Sequence, residues 1–245
     1  MQLTVLGCFG PYPPAGGCCS GYLLQEDNCN LLIDCGNGVL SRLQLHLDYK
    51  KLNAVILSHL HADHYSDIMI MRYGLEISFQ QGERLEPLPL YAPVQPETEF
   101  ERLPYKNAYR VSVLEPGQTL QIGPFTILAR EGIHAIPSMA FRIRTASGIF
   151  VYSGDTEFDS GLEQFASGAD FFLCEANFLE ADIENGAPNH LSSAQAAQIA
   201  AAAGVKKLYL THHHPERELE QYLAEAKKIF PEVEAAREGE TYHIS

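Results

Sequence analysis

Basic residues are scarce in this 245-residue chain: 17 Lys and Arg stand against 31 Asp and Glu, giving a formal charge of -14. Long nucleic acids are gripped by basic surface that displaces phosphate counterions, so a protein that holds a long RNA or DNA is disfavoured. Lys50-Lys51, Lys206-Lys207 and Lys227-Lys228 are isolated pairs that read as solvated helix ends. No segment stays apolar long enough to cross a bilayer as a helix, so no membrane partner is expected. Cys-x-x-Cys spacing is missing among Cys8, Cys18, Cys19, Cys29, Cys35 and Cys174, which reads as six reduced thiols rather than a redox motif or a disulfide framework. Met1 to Gly7 has neither a basic leader nor a small-residue cleavage site, and a cytoplasmic location is therefore expected.

A hydrophobic fraction of 46% with 20% charged residues is that of a folded chain. Residues 1-245 are expected to form one α/β domain of layered type. Leu3 to Leu6, Gly21 to Leu24 and Asn30 to Asp34 read as strands separated by glycine- and proline-rich turns. A helix is expected over Val39 to Leu47 and a buried strand over Ala54 to Ser58. Residues 80 to 109, rich in proline and polar side chains, read as a variable connection where the chain crosses between two halves. The second half echoes the first, with strands expected at Phe125 to Leu128, Met139 to Arg144, Gly148 to Asp155, Asp170 to Glu175 and Val205 to His212. Ser192 or Ser193 can cap a helix that runs to Ala203 and stops at Gly204.

Directly after the strand ending at Ser58 comes His59-Leu60-His61-Ala62-Asp63-His64, three imidazoles and a carboxylate in six residues. Neutral imidazole and carboxylate donors suit zinc and neighbouring divalent ions. Four donors this close exceed what one ion takes from a single segment while keeping an open catalytic position, so two metals are expected. Zn2+, Mn2+ and Fe2+ all accept these donors. Further ligand-type residues close other strands: His134 lies after one, Asp155 ends Ser153-Gly-Asp155, Glu175 ends another, and His212 ends Leu210-Thr-His212.

This series of motifs, in this order and over nearly the whole length, resembles the metallo-β-lactamase superfamily of hydrolases. The resemblance implies an αββα four-layer sandwich, two β-sheets packed face to face with helices outside. It also implies that His59, His61 and His134 hold one metal, that Asp63, His64 and His212 hold the second, and that Asp155 bridges them. Asp34 matches a position that supports the ligands from behind, turn capping being the alternative. Of the run His212-His213-His214, only His212 is expected to ligate, with His213 and His214 at the pocket rim.

The second half is most similar to the ribonuclease Z and atypical bacterial cyclic-AMP phosphodiesterase branch, on the strength of His134 to Arg142, Tyr152-Ser-Gly-Asp-Thr156, Cys174 to Phe178 and Asn189 to Gln198. That likeness points to His190 as the residue serving the phosphate and leaving group, with Glu175 orienting it and Asp63 orienting the attacking water. Ribonuclease Z commonly carries a basic arm between the positions of His134 and Asp155, where this chain leaves no room for one. The expectation is a dinuclear phosphodiesterase acting on a small anionic phosphodiester such as cyclic AMP. Its alternatives are a tRNA 3′-processing endonuclease, a lactone or thioester hydrolase, and a non-enzymatic metal-binding protein. A homodimer is the default oligomer.

Overall fold

The computed structural model describes residues 1-245. The first sheet is built from β1 (Gln2–Gly7), β2 (Gly21–Glu26), β3 (Cys29–Ile33), β4 (Ala54–Ile56), β5 (Leu88–Ala92) and β6 (Tyr109–Val113). The second contains β7 (Thr119–Ile122), β8 (Phe125–Glu131), β9 (Met139–Arg144), β10 (Ile149–Tyr152), β11 (Phe171–Glu175), β12 (Leu208–Thr211) and β13 (Val233–Ala235). β14 (Thr241–His243) returns to pair with β1, so the sheet orders are β14-β1-β2-β3-β4-β5-β6 and β13-β12-β11-β10-β9-β8-β7. Both sheets are mixed. β3 to β6 run parallel in one, β10 to β13 run parallel in the other, and hairpins complete each.

Period-two alternation explains how the layers stack, because successive strand residues face opposite sides. Leu31 and Ile33 on β3, Ala54 and Ile56 on β4, Phe150 and Tyr152 on β10, and Phe171 and Leu173 on β11 meet in one core between the sheets. Their neighbours Leu32 and Val55 turn to the opposite face, toward α1 (Val39–Leu43) and α3 (Ile68–Gln80), which the short α2 (Ala62–Tyr65) precedes. Val151, Phe172 and Cys174 face α5 (Ser160–Ala166), α7 (Ser193–Ala203) and α8 (Leu219–Ala226). The result is the expected αββα sandwich. Phe141 is fully buried at its centre, so Phe141→Ala should cost about 3–5 kcal/mol by leaving a cavity. A urea titration checks this, and a midpoint equal to that of the parent would contradict the packing.

α7 has the boundaries read from the sequence. Ser192 Oγ accepts the Gln195 amide at 3.1 Å, the Gln195 side chain accepts the Ser192 amide at 3.1 Å, and Gly204 closes the helix at φ 62°. α1 is shorter than expected. After Leu43 the Leu45 and His46 amides bond three residues back, to Arg42 and Leu43, and the helix unwinds into turns with Leu45 exposed.

Residues 80 to 109 are not a plain connection: they hold β5, inside the first sheet, and α4 (Glu97–Phe100). Proline disguises the strand. Pro89 has no amide hydrogen to give, and pairing with β4 begins only at Leu90. The crossing between halves lies instead at residues 114 to 118, between β6 and β7. No helix is long and apolar enough to cross a membrane.

Candidate metal centre

The ligand-type residues lie just beyond carboxyl ends of strands: Asp34 after β3, the histidine motif after β4, His134 after β8, Asp155 after β10 and His212 after β12. These ends belong to both sheets, and ligand sites of open α/β sheets sit outside such ends. Asp34 at φ 55°, His212 at φ 56° and Asn189 at φ 73° adopt left-handed backbone that few non-glycine residues take up. Strain of this kind concentrates where side chains must be aimed.

His59 and His61 straddle Leu60 in extended chain, then one turn of α2 swings Asp63 and His64 the other way. His59 Nε2 lies 3.1 Å from His61 Nδ1, which lies 3.1 Å from His134 Nε2. The far side of each outer ring fixes its tautomer. His134 Nδ1–H donates to the Asn189 carbonyl at 2.8 Å. Ser58 Oγ donates to Asp34 at 2.8 Å and so accepts from His59 Nδ1–H at 3.0 Å. Two bare lone pairs thus face a third ring nitrogen, an arrangement a divalent cation resolves. Burial pushes His59 and His61 below the ordinary imidazole range, toward the neutral form a metal requires.

Beside this trio, Asp63, His64, Asp155 and His212 offer donor atoms within 4.8 Å of one another. Asp155 Oδ2 lies 3.3 Å from both His64 Nε2 and His212 Nε2, and 3.7 Å from His59 Nε2 in the first cluster. Asp63 Oδ2 lies 3.2 Å from His212 Nε2. Buried His64 Nε2 and Asp155 Oδ1 have no hydrogen-bond partner, and an orphaned buried donor or acceptor is costly unless an ion fills the gap. Burial alone would raise the Asp155 carboxyl, but His212 and His64 hold it well below the usual range, so it is ionised. The donor set therefore fits divalent metal in both clusters.

Asp34 holds this site from behind and caps no helix. Its carboxylate accepts the Ser58 amide at 2.7 Å, Ser58 Oγ at 2.8 Å, His64 Nδ1–H at 2.8 Å and the Tyr152 hydroxyl at 2.9 Å. With its Nδ1 proton engaged, His64 presents Nε2 to the cluster. The sequence named Asp34 but missed Ser58 and Tyr152, whose contacts come from other elements. Asn177, inside the stretch Cys174 to Phe178, carried no expected role either. The Asn177 side-chain Nδ2 donates to the Gly10 carbonyl at 2.8 Å and to the His212 carbonyl at 2.9 Å, which ties the turn before Pro11 to the twisted backbone of His212.

His190 and Glu175 lie against each other. His190 Nδ1–H donates to Glu175 Oε1 at 3.0 Å, and the same oxygen accepts the Thr156 amide at 2.7 Å. The His190 ring stacks on His212 at 5.1 Å and stands edge-on to His134 at 5.3 Å, so it borders both clusters. Burial disfavours its charged form, but the Glu175 carboxylate and then Asp155 outweigh that effect and raise its pKa to about 9.

His213 is not at the rim. It is wholly buried, with its ring against Phe9 and Tyr222. His214 stands edge-on to Tyr12, which is exposed, and the Tyr222 hydroxyl accepts the His214 amide at 3.1 Å. Two glycines permit the close packing around the ligands. A Cβ at Gly36 would lie 1.9 Å from the Asp63 carbonyl, and one at Gly10 would lie 1.9 Å from His212 Nε2. Gly10→Ala should therefore displace the His212 ring and lower activity about 100-fold, the scale of an ångström-sized misplacement. Metal analysis should show loss from the second cluster, and full metal with full activity would refute the close approach.

Two sheets that bring histidine and aspartate donors together along one shared edge define a metallo-hydrolase of β-lactamase fold. The chain belongs to the β-lactamase superfamily: the family model described as Beta-lactamase superfamily domain matches residues 29–213. It is 36% identical to the probable metallo-hydrolase YhfI of Bacillus subtilis over 98% of each chain, and the crystal structure of YhfI superposes with a TM-score of 0.94. A ribonuclease Z of Treponema denticola is 27% identical, with 95% of this chain and 94% of the relative covered. That alignment spans 296 positions although this chain has 245 residues, so the relative carries extra segments. The short form of human tRNase Z, at 21% identity, shares the fold over the full length of both chains with a TM-score of 0.79.

Proposed function

We propose that this protein is a dinuclear phosphodiesterase acting on a small anionic phosphodiester such as a cyclic nucleotide. The observation that carries the reading is the His190 imidazole, hydrogen-bonded to Glu175 at 3.0 Å and bordering both ligand clusters. Phosphodiester cleavage releases an alkoxide that needs a proton, and a ring held by a carboxylate at one nitrogen can offer a proton from the other. Glu175 engages Nδ1, which leaves Nε2 to keep that proton for the departing oxygen. A thioester, which expels a thiolate, places less demand on such a group.

His59, His61 and His134 would hold one cation, Asp63, His64 and His212 the other, with Asp155 between them. Zn2+ is the first choice. Divalent cations bound there supply Lewis-acid charge neutralisation and a water nucleophile at neutral pH. Asp63, partly open to solvent, accepts a hydrogen from the attacking water and so sets its direction. Asp34 keeps His64 in the ligating tautomer.

Size and charge favour a compact substrate. The chain from β9 to β10 is a tight turn, with the Thr145 amide donating to the Gly148 carbonyl at 3.0 Å, which leaves no arm to wrap a tRNA. The charge of -14 works against a long polyanion. Six buried, unpaired cysteines support the reading of a reducing, cytoplasmic setting. The test is a turnover screen of metal-stripped protein resupplied with Zn2+, Mn2+ or Fe2+. Cyclic AMP, bis(p-nitrophenyl) phosphate, a precursor tRNA transcript and a lactone panel are the substrates. Turnover of the small phosphodiesters is expected, whereas activity on the transcript alone or the lactones alone would overturn the proposal.

A further inference from the structure

Three loops meet around the dipeptide that follows Asp155. The Thr156 hydroxyl accepts the Ile133 amide at 2.9 Å, and the Glu157 amide donates to the Ile133 carbonyl at 2.7 Å, so the segment carrying His134 is fastened to the one carrying Asp155. On the other side Glu157 Oε1 accepts the Asn189 amide at 2.9 Å. Asn189 has its backbone at φ 73°, its carbonyl accepts His134 Nδ1–H at 2.8 Å, and the next residue is His190.

We propose that Glu157 is a positioning residue which, by holding the Asn189 amide, sets the His134 ring for metal and the His190 ring for the leaving group at once. A left-handed backbone at a non-glycine residue persists only when its surroundings over-determine it, and the Glu157 carboxylate is the side chain that bonds the Asn189 amide. Released from that bond, Asn189 can relax toward ordinary backbone angles. Its carbonyl then turns from His134, and the chain entering His190 turns with it. A metal-bound imidazole keeps its tautomer and aim through the partner of its other nitrogen, and loss of that partner typically weakens binding or activity 10- to 100-fold. Here one carboxylate, touching neither metal nor substrate, governs one such imidazole and the leaving-group residue next to its partner.

The inference rests on the reading of His134 as a ligand and His190 as the leaving-group residue. The test compares Glu157→Ala with Glu157→Gln, which keeps the accepting carbonyl oxygen. For each protein, kcat and KM are measured on cyclic AMP, whose leaving group is an alkoxide, zinc affinity by chelator competition, and Tm by calorimetry. Glu157→Ala should lower kcat about 10- to 100-fold and weaken one zinc equivalent about 10-fold, with KM within about threefold of the parent. Glu157→Gln should restore both kcat and zinc affinity. Unchanged kcat and zinc affinity in Glu157→Ala would overturn the assignment, as would equal damage from Glu157→Gln. A parent protein that turns over no phosphodiester would defeat the proposed function instead, and the zinc titration would still judge Glu157.

Discussion

Asp155→Ala is expected to lower phosphodiester turnover about 10⁴-fold, the equivalent of the several kcal/mol that paired cations give a charged transition state. The expectation follows from position. Asp155 Oδ2 lies 3.3 Å from His64 Nε2, 3.3 Å from His212 Nε2 and 3.7 Å from His59 Nε2, so this one oxygen is adjacent to donors of both clusters. Removing the carboxylate leaves several buried imidazoles facing one another without compensating negative charge, and cation affinity should fall at both positions together. Atomic absorption on the dialysed variant should therefore show far less than two zinc equivalents, while circular dichroism stays near that of the parent. Retention of more than about a tenth of the activity, or of full metal, would remove Asp155 from the bridging position.

His190→Ala should separate chemistry from metal loading. A positioned acid contributes about 10²–10⁴-fold to a proton transfer, and turnover should drop by that much. The metal content should stay that of the parent, because the ring lies beside the clusters and its engaged nitrogen bonds to Glu175. A substrate graded in leaving-group acidity sharpens the measurement. Esters of acidic phenols, which depart without a proton, should lose much less than alkyl esters. Equal losses across the series would mean that His190 stabilises phosphate charge and protonates nothing. Parallel loss of metal and turnover would rule out this division of labour.

The ligand-type residues were legible in the sequence because metal chemistry restricts residue type and because strand ends are marked by short apolar runs. His59, His61, Asp63, His64, His134, Asp155 and His212 all lie where the ends of β4, β8, β10 and β12 place them. α7 was legible too, since its cap and its glycine stop are local signals. β5 was not. Pro89 breaks the strand pattern, and only the neighbouring strands reveal that the missing amide falls outside the β4 ladder. The supporting layer was largely hidden as well. Tyr152 meets Asp34 across 118 residues of sequence, and Asn177 meets Gly10 across 167, so no window of sequence contains either pair. His213 misled for a different reason: three adjacent histidines look alike in a string, whereas the left-handed backbone at His212 and the packing of the middle ring against Phe9 and Tyr222 belong to the fold.

Each cluster draws donors from before and after the junction at residues 114 to 118, with His59, His61, Asp63 and His64 from one half and His134, Asp155 and His212 from the other. Cations bound there would act as rivets through the seam of the sandwich, and their binding free energy would be shared by the cohesion of the two slabs. Catalytic competence and mechanical integrity would then rise and fall with the same supply of ions.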